Sequence, residues 1–321
     1  MILTVTLNPL LERRITCSSI NIGLVNREGK IEIKSGGKGI NVSRQLNNLG
    51  IDNLAFTFSG GSTGREFKDI VHREGIKSVF VHTEANTREA LIFINESARL
   101  VTSCFSMNSC ITQKEAYEFS QRLVKMIPNY EMIVLSGSSP CKETNSIFPE
   151  AISCAIKNDR IIICDTYGEH LGECLEASPT IVHNNIDEIE NSLNIKLRNN
   201  DDINNLLSSL YSKNIKQVYL TDAGNPFFAS NFDYRFRINP PAVKTVDSTG
   251  SGDAFTAGII YGWHNDLVFE ETLKTAVALG AANASFFDVC NVKINGFEEL
   301  KTSVIITPIG KKMKVIDVKP Q

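Results

Sequence analysis

The chain has 321 residues, room for one large α/β domain carrying an accessory element. Lys and Arg number 33 against 36 Asp and Glu, so a net charge of −3 gives no basic excess for gripping a phosphate backbone, and nucleic acid is excluded as a main partner. With 42% hydrophobic and 21% charged residues, the composition is globular rather than disordered or fibrous.

In chain order, the apolar run Ile2-Leu3-Thr4-Val5-Thr6-Leu7 stops at Asn8-Pro9, too short for a signal-peptide core and without a basic leader, so it is read as a first strand. Arg13 to Lys34 then shows strand-like polar alternation with no helix, as does Ala90 to Ser103 further on. Both are read as a small β-sheet projecting from the core, although an antiparallel edge would give the same pattern. Leu54 to Phe58 precedes a helical pattern at Thr63 to Glu74, and Met132 to Leu135 precedes another at Thr144 to Lys157. This is βαβ rhythm. Ile161 to Cys164, Thr180 to Val182 and Gln217 to Leu220 are short runs apolar on both faces, which predicts a mostly parallel sheet between helices. Asn184 to Asn205 is read as a polar-faced surface helix and loop, and Val243 to Val246 as strand-like. Ala276 to Phe287, interrupted by Asn283, falls well short of the roughly eighteen apolar residues a membrane span needs. Eight scattered cysteines include no C-x-x-C pair, so no zinc or redox motif is indicated, and they are read as reduced thiols in a cytoplasmic protein.

Three glycine clusters carry chemistry. In Asp247-Ser248-Thr249-Gly250-Ser251-Gly252-Asp253, small residues let the backbone turn sharply and aim several N–H groups at one spot, at the positive end of the helix that follows. An N-cap alone would explain Asp253, but it would not require the glycines before it. Beside a bound phosphate, Asp253 could take a proton from an attacking alcohol. Gly36-Gly37-Lys38-Gly39-Ile40-Asn41 opens a second helix, where Lys38 offers a point charge and Asn41 a donor-acceptor pair. It is neither a Walker A motif nor a dinucleotide fingerprint. Gly60-Gly61-Ser62-Thr63-Gly64 matches the nucleophile elbow of serine hydrolases, so Ser62 is a remote alternative nucleophile, although no histidine late in the chain sits in a recognisable loop with an acid partner.

Taken together, and with Thr4 to Pro9 ahead of them, the first two clusters resemble the PfkB/ribokinase family of sugar kinases, closest to its 1-phosphofructokinase and tagatose-6-phosphate kinase branch. Thr87-Arg88, Ser136-Gly137-Ser138, Asp165, Asn185 with Glu188, and Gly60-Gly61 with Gly64 extend the resemblance over nearly the whole chain. It implies a single ribokinase-like domain over 1–321, a doubly wound α/β core with a β-sheet lid from about 11–35 and 88–105, and a homodimer paired through that lid. It further implies ATP and Mg²⁺ as cofactors and transfer of the γ-phosphoryl to a free hydroxyl of fructose 1-phosphate or tagatose 6-phosphate. Asp253 would be the base and the amides of Gly250, Ser251 and Gly252 the anion hole. Substrate contacts map onto Glu12, Gly36, Gly37, Lys38, Asn41, Arg88 and Ser138, with Arg27 of the lid as a candidate. Lys38, Arg88 and Arg27 suit an acceptor that already carries phosphate. Nucleotide contacts map onto Asn185, Glu188, Thr221, Gly224, Thr249 and Asn283, with Glu188 holding the metal through water.

The chain departs from the branch where N-P-A-x-D becomes Asn8-Pro9-Leu10-Leu11-Glu12, where Ser106-Met107-Asn108-Ser109 replaces a proline-glycine turn, and where V-K-P-N becomes Val182-His183-Asn184-Asn185. Its nucleotide-side turn reads Thr221-Asp222-Ala223-Gly224-Asn225-Pro226 in place of S-L-G-A-x-G. A sugar-phosphate-binding or regulatory protein with little turnover is therefore the second function class.

Overall fold

A computed structural model of the chain describes residues 1–27 and 29–309. Strand β1 (Ile2–Thr6) is followed by β2 (Leu10–Cys17), β3 (Lys30–Gly36) and helix α1 (Lys38–Asn48), beyond which Gly50 turns the chain in the left-handed region at φ +73°. Then come β4 (Asn53–Gly60), α2 (Gly61–Arg73), β5 (Ser78–Thr83), β6 (Arg88–Asn95) and β7 (Leu100–Phe105). Helix α3 (Gln113–Met126) opens on a capping box between Thr112 and Glu115. The alternation continues through β8 (Met132–Ser136), α4 (Ile147–Lys157), β9 (Ile161–Asp165), α5 (Leu171–Glu176), β10 (Ile181–Asn185), α6 (Ile186–Leu193), α7 (Asn200–Ser212) and β11 (Gln217–Thr221). The remaining elements are β12 (Phe227–Asn231), β13 (Tyr234–Asn239), α8 (Ser251–His264), α9 (Phe269–Asn283), α10 (Glu298–Lys301) and β14 (Ile305–Ile309).

The strands from β11 to β5 form the parallel part of a ten-stranded sheet ordered β14-β13-β12-β11-β10-β9-β8-β1-β4-β5, and β12 to β14 extend it antiparallel. Successive side chains of a strand face opposite ways, so the buried runs feed two cores at once. In β8, Ile133 and Leu135 join the core that holds Phe119 of α3 and Phe148 of α4, while Met132 and Val134 join the one that holds α8 and α9. The expected doubly wound α/β architecture is present.

A separate four-stranded sheet, ordered β3-β2-β6-β7, is built from the two stretches read as strand pairs. One face carries Leu10, Ala90, Ile92 and Ile94, which pack with Val101 and with Phe287 from the loop after α9. The opposite face leaves Ile31, Leu91 and Leu100 exposed.

Three local expectations are corrected. Val243 to Val246 is a loop rather than a strand: Pro240 and Pro241 deny the ladder its donors, and the Val246 N–H goes to the Ala284 carbonyl. Helix α4 begins at Ile147, not Thr144, because Lys142–Thr144 forms a separate tight turn. Asn184 and Asn185 end a strand, and two helices follow, divided where Asn194 takes a left-handed φ of 52°. No helix among the described residues is long and apolar enough to cross a membrane.

Candidate active site

Parallel strands deliver their carboxyl ends to one edge, the usual place for a ligand in an open α/β sheet. Here that edge gathers Asn8 after β1, Ser138 after β8, Asp165 ending β9, Asn185 ending β10 and Thr221 ending β11. The glycine-rich start of α1 lies across it. Gly39 must be glycine, since a Cβ there would stand 2.4 Å from Thr6 Oγ1 and 2.9 Å from the Val5 carbonyl oxygen. This close crossing seats Lys38 and Asn41 over the strand ends.

Asp253, in the first turn of α8, is 4% exposed and accepts a 2.8 Å hydrogen bond from Asn41 Nδ2. Asn41 cannot present its amide the other way, because its Oδ1 accepts from Arg44 Nη1 at 2.8 Å. Lys38 Nζ reaches Asp165 Oδ1 at 3.1 Å and Glu188 Oε1 at 2.7 Å and lies 4.9 Å above the Tyr167 ring. Asp165 is fully buried; its Oδ2 accepts from Thr256 Oγ1 at 3.2 Å, and its Oδ1 is 3.5 Å from His183 Nδ1. His183 stacks on Phe255 and lies directly behind Gly252.

These contacts divide the carboxylates by role. Burial pushes Asp253 up to about 7; Lys38 pulls it down, and the Asp165 and Glu188 charges add to the rise. Burial acts the same way on Asp165, but Lys38 and His183 outweigh it and hold that carboxyl below its usual range. Burial disfavours the Lys38 charge, yet Asp165, Glu188 and Asp253 more than compensate, and its pKa rises. The result is one carboxyl poised to exchange a proton near neutrality beside a permanent ion cluster.

The loop before α8 is braced from behind. Gly250 is left-handed at φ +76°, and a Cβ there would meet Val289 Cγ1 at 2.4 Å. Asp247 Oδ1 accepts from the Thr249 N–H at 2.9 Å, while Asn283 Nδ2 donates to the Thr249 carbonyl and to Ser251 Oγ.

The profile of pfkB family carbohydrate kinases matches residues 13–291. The chain belongs to that family. It is 30% identical to a tagatose-6-phosphate kinase of Staphylococcus epidermidis over 99% of its own length and 100% of the relative's. It is 28% identical to a 1-phosphofructokinase of Borreliella burgdorferi over 90% and 94% of the two chains. Among solved structures, the phosphofructokinase-2 of Escherichia coli in complex with fructose-6-phosphate superposes with a TM-score of 0.80 at 22% identity, covering 94% of this chain and 98% of that one.

Within this PfkB kinase the structure brings together two hydrogen-bonded pairs, Lys38 with Glu188 and Asn41 with Asp253, linked by the charge of Lys38 acting on Asp253, with Gly36 and Gly37 leading into α1. Arg88 and Ser138 meet nearby through Asn8: Asn8 Nδ2 donates to Ser138 Oγ and Asn108 Oδ1, and Arg88 donates to the Asn8 carbonyl and Asn108 Oδ1. Asn8 Oδ1 and Arg88 Nε are buried there with no hydrogen-bond partner among the described residues, one an acceptor and the other a donor. Asn185 and Glu188 form a reciprocal capping box on α6, and the cap leaves Glu188 Oε1 free to face Lys38. Thr221 ends β11 beside His183, and Gly224 and Thr249 are exposed.

Other residues stand apart from direct contact. Arg27 lies in the exposed loop between β2 and β3, at the end of those strands opposite Leu10 and Gly36. Asn283 is fully buried and acts on the loop rather than at the surface. The Ser251 N–H is engaged by the Ser248 carbonyl at 3.1 Å. Ser62 has no histidine hydrogen-bonded to it among the described residues, and Gly60 and Gly61 have another task, close packing against Thr83, Ala85 and Asn86. The nucleophile-elbow reading therefore has no chemistry behind it. Sequence reasoning missed Asn8 and Asn108 as partners of Arg88 and Ser138, and His183 and Arg14 as buried partners of the acidic residues.

Proposed function

We propose that the protein transfers the γ-phosphoryl of ATP to a free hydroxyl of a ketohexose monophosphate, fructose 1-phosphate or tagatose 6-phosphate, giving the bisphosphate. The observation that carries this reading is Asp253: buried, raised to about 7, at the head of α8 and held by Asn41 from the acceptor-side helix. A carboxyl with that pKa is matched to accepting a hydroxyl proton at neutral pH. Phosphoryl transfer otherwise needs positioning and charge neutralisation, which Lys38 and the amides at the start of α8 supply. The activities named for the tagatose-6-phosphate kinase and 1-phosphofructokinase relatives support the acceptor class. Arg88 and its unpartnered Nε suit the acceptor's phosphate, with Gly36, Gly37, Glu12 and Ser138 around the sugar. Arg27 is left out of this set.

The nucleotide half lies toward a cleft of about 430 Å³ lined by Tyr167, Glu169, Asn185, Asp187 and Glu188. Hard carboxylate oxygens at its edge fit Mg²⁺, which keeps most of its waters and takes one or two carboxylates plus phosphates. Glu188, whose two oxygens already meet Lys38 and the Asn185 N–H, would hold it through water, and it would neutralise phosphate charge. Thr221, Gly224 and Thr249 are assigned to the nucleotide, with Asn283 acting through Thr249. The exposed Ile31, Leu91 and Leu100 support a homodimer paired through the small sheet, and eight free cysteines are in keeping with a cytoplasmic setting.

A coupled ADP-release assay over sugars and sugar monophosphates tests the reading. Turnover of phosphorylated ketohexoses is expected. Turnover of unphosphorylated sugars alone would contradict the acceptor class, and no turnover together with calorimetric sugar-phosphate binding would favour a binding protein.

A further inference from the structure

We propose that Arg14 is a positioning residue that ties the small sheet to the phosphate-receiving loop, so that the loop keeps its receiving shape only while β2 is seated. The proposal rests on the kinase reading above and concerns a residue outside the groups assigned to substrate or nucleotide.

Arg14 sits mid-strand in β2 and is 2% exposed, an unusual burial for a guanidinium. It binds in three directions. Nη1 donates to Glu12 Oε2 at 3.0 Å, Nη2 to Asp247 Oδ2 at 3.2 Å, and Nη2 also to the Phe287 carbonyl at 2.7 Å. Each partner leads somewhere. Glu12 packs against Gly36, where a Cβ would come within 2.6 Å of its Oε1, so it abuts the start of the acceptor-side loop. Asp247 uses its other oxygen on the Thr249 N–H and thereby shapes the turn into α8. Phe287 packs its side chain on the inner face of the small sheet, and the same loop carries Val289 and Cys290, which press on Gly250.

One planar cation thus joins three segments distant in sequence, and its fork geometry suits that task as a point charge would not. Two carboxylates share it in a buried setting, so displacing β2 would leave both without their cation. Acceptor-side closure and loop geometry are coupled through this contact. Glu12 and Arg14 are two residues apart and so share a strand face, whereas Arg13 faces the other way, toward Glu66 and Glu89.

The test uses Arg14→Lys, Asp247→Asn and the double variant, read by ADP release and by hydrogen exchange of the peptide spanning residues 246–252. Arg14→Lys should lower kcat by about tenfold or more while moving KM for ATP by less than about threefold, since it misplaces the loop without removing a nucleotide contact. The exchange of that peptide should quicken. Because both residues act through one contact, the double variant should lose no more kcat than the worse single variant. Single losses that multiply, or unchanged kcat and exchange in a folded Arg14→Lys, would overturn the proposal. Should Arg14→Lys fail to fold, Asp247→Asn, which keeps an acceptor for the Thr249 N–H but removes the carboxylate that pairs with Arg14, decides alone: unchanged exchange and kcat would overturn it. Absence of turnover in the parent would refute the kinase reading, and the exchange comparison would still decide the coupling.

Discussion

Asn41 and Asp253 are 212 residues apart in the chain, yet the amide of one donates to the carboxylate of the other at 2.8 Å, joining helix α1 to helix α8. The contact favours the ionised form of Asp253, while burial and the Asp165 and Glu188 charges favour the neutral one. Their balance near neutrality makes Asp253 the residue on which pH acts.

Two pH effects follow from the rise of Asp253 from 3.8 to about 7. The base must be ionised, so kcat/KM should climb with pH to about 7 and then level off. Between those values the folded chain keeps a proton that the unfolded chain has released, so stability falls as pH rises through the window. Asp253→Asn cannot ionise. Its thermal midpoint should match the parent's below pH 4 and exceed it by a few degrees above pH 7, and equal midpoints at pH 8 would contradict the assignment.

Lys38 lowers the Asp253 pKa, so its removal should shift the acid limb of kcat/KM to higher pH. Lys38→Met is the variant to use, since it keeps the length of the stem. A limb that stays in place, or moves to lower pH, would show that Lys38 does not act on Asp253.

Arg88 meets the cleft through Asn8 and Asn108 and is proposed as a contact of the acceptor's phosphate. Arg88→Ala should raise KM for the phosphorylated acceptor about tenfold to a hundredfold, the loss expected of a charge-assisted hydrogen bond, and leave KM for ATP nearly unchanged. An equal rise for both substrates would count against an acceptor-phosphate contact.

Gly250 is required by conformation and by space. Gly250→Ala should destabilise the protein by about 1–2 kcal/mol through the left-handed backbone alone, with more from the clash on Val289, as read by urea unfolding. It should also depress kcat. A variant with the parent's stability and turnover would mean that the loop is shaped differently.

The fold was legible wherever burial on both faces left apolar runs, as in β4, β8, β9 and β11, and wherever paired strands lacked a helix between them, as in the small sheet. The loop at Val243 to Val246 was not, because its β-branched residues Val243, Thr245 and Val246 favour a strand and only the preceding prolines argue otherwise. Of the site, the glycine loops, Lys38, Asn41 and Asp253 announce themselves by local chemistry. Arg14 does not: a basic residue in an alternating strand reads as solvent-facing, and the carboxylate that buries it, Asp247, lies 233 residues on. His183 is hidden in the same way, since its partners Thr256, Thr221 and Asp165 converge only in the folded sheet.

The account turns on Asp253 taking the proton of the acceptor hydroxyl. ADP release by Asp253→Asn at saturating ATP and ketohexose monophosphate tests this most directly, with ATP binding followed by calorimetry. A rate lowered by about a thousandfold with ATP affinity intact is predicted, and a rate within about tenfold of the parent's would contradict it.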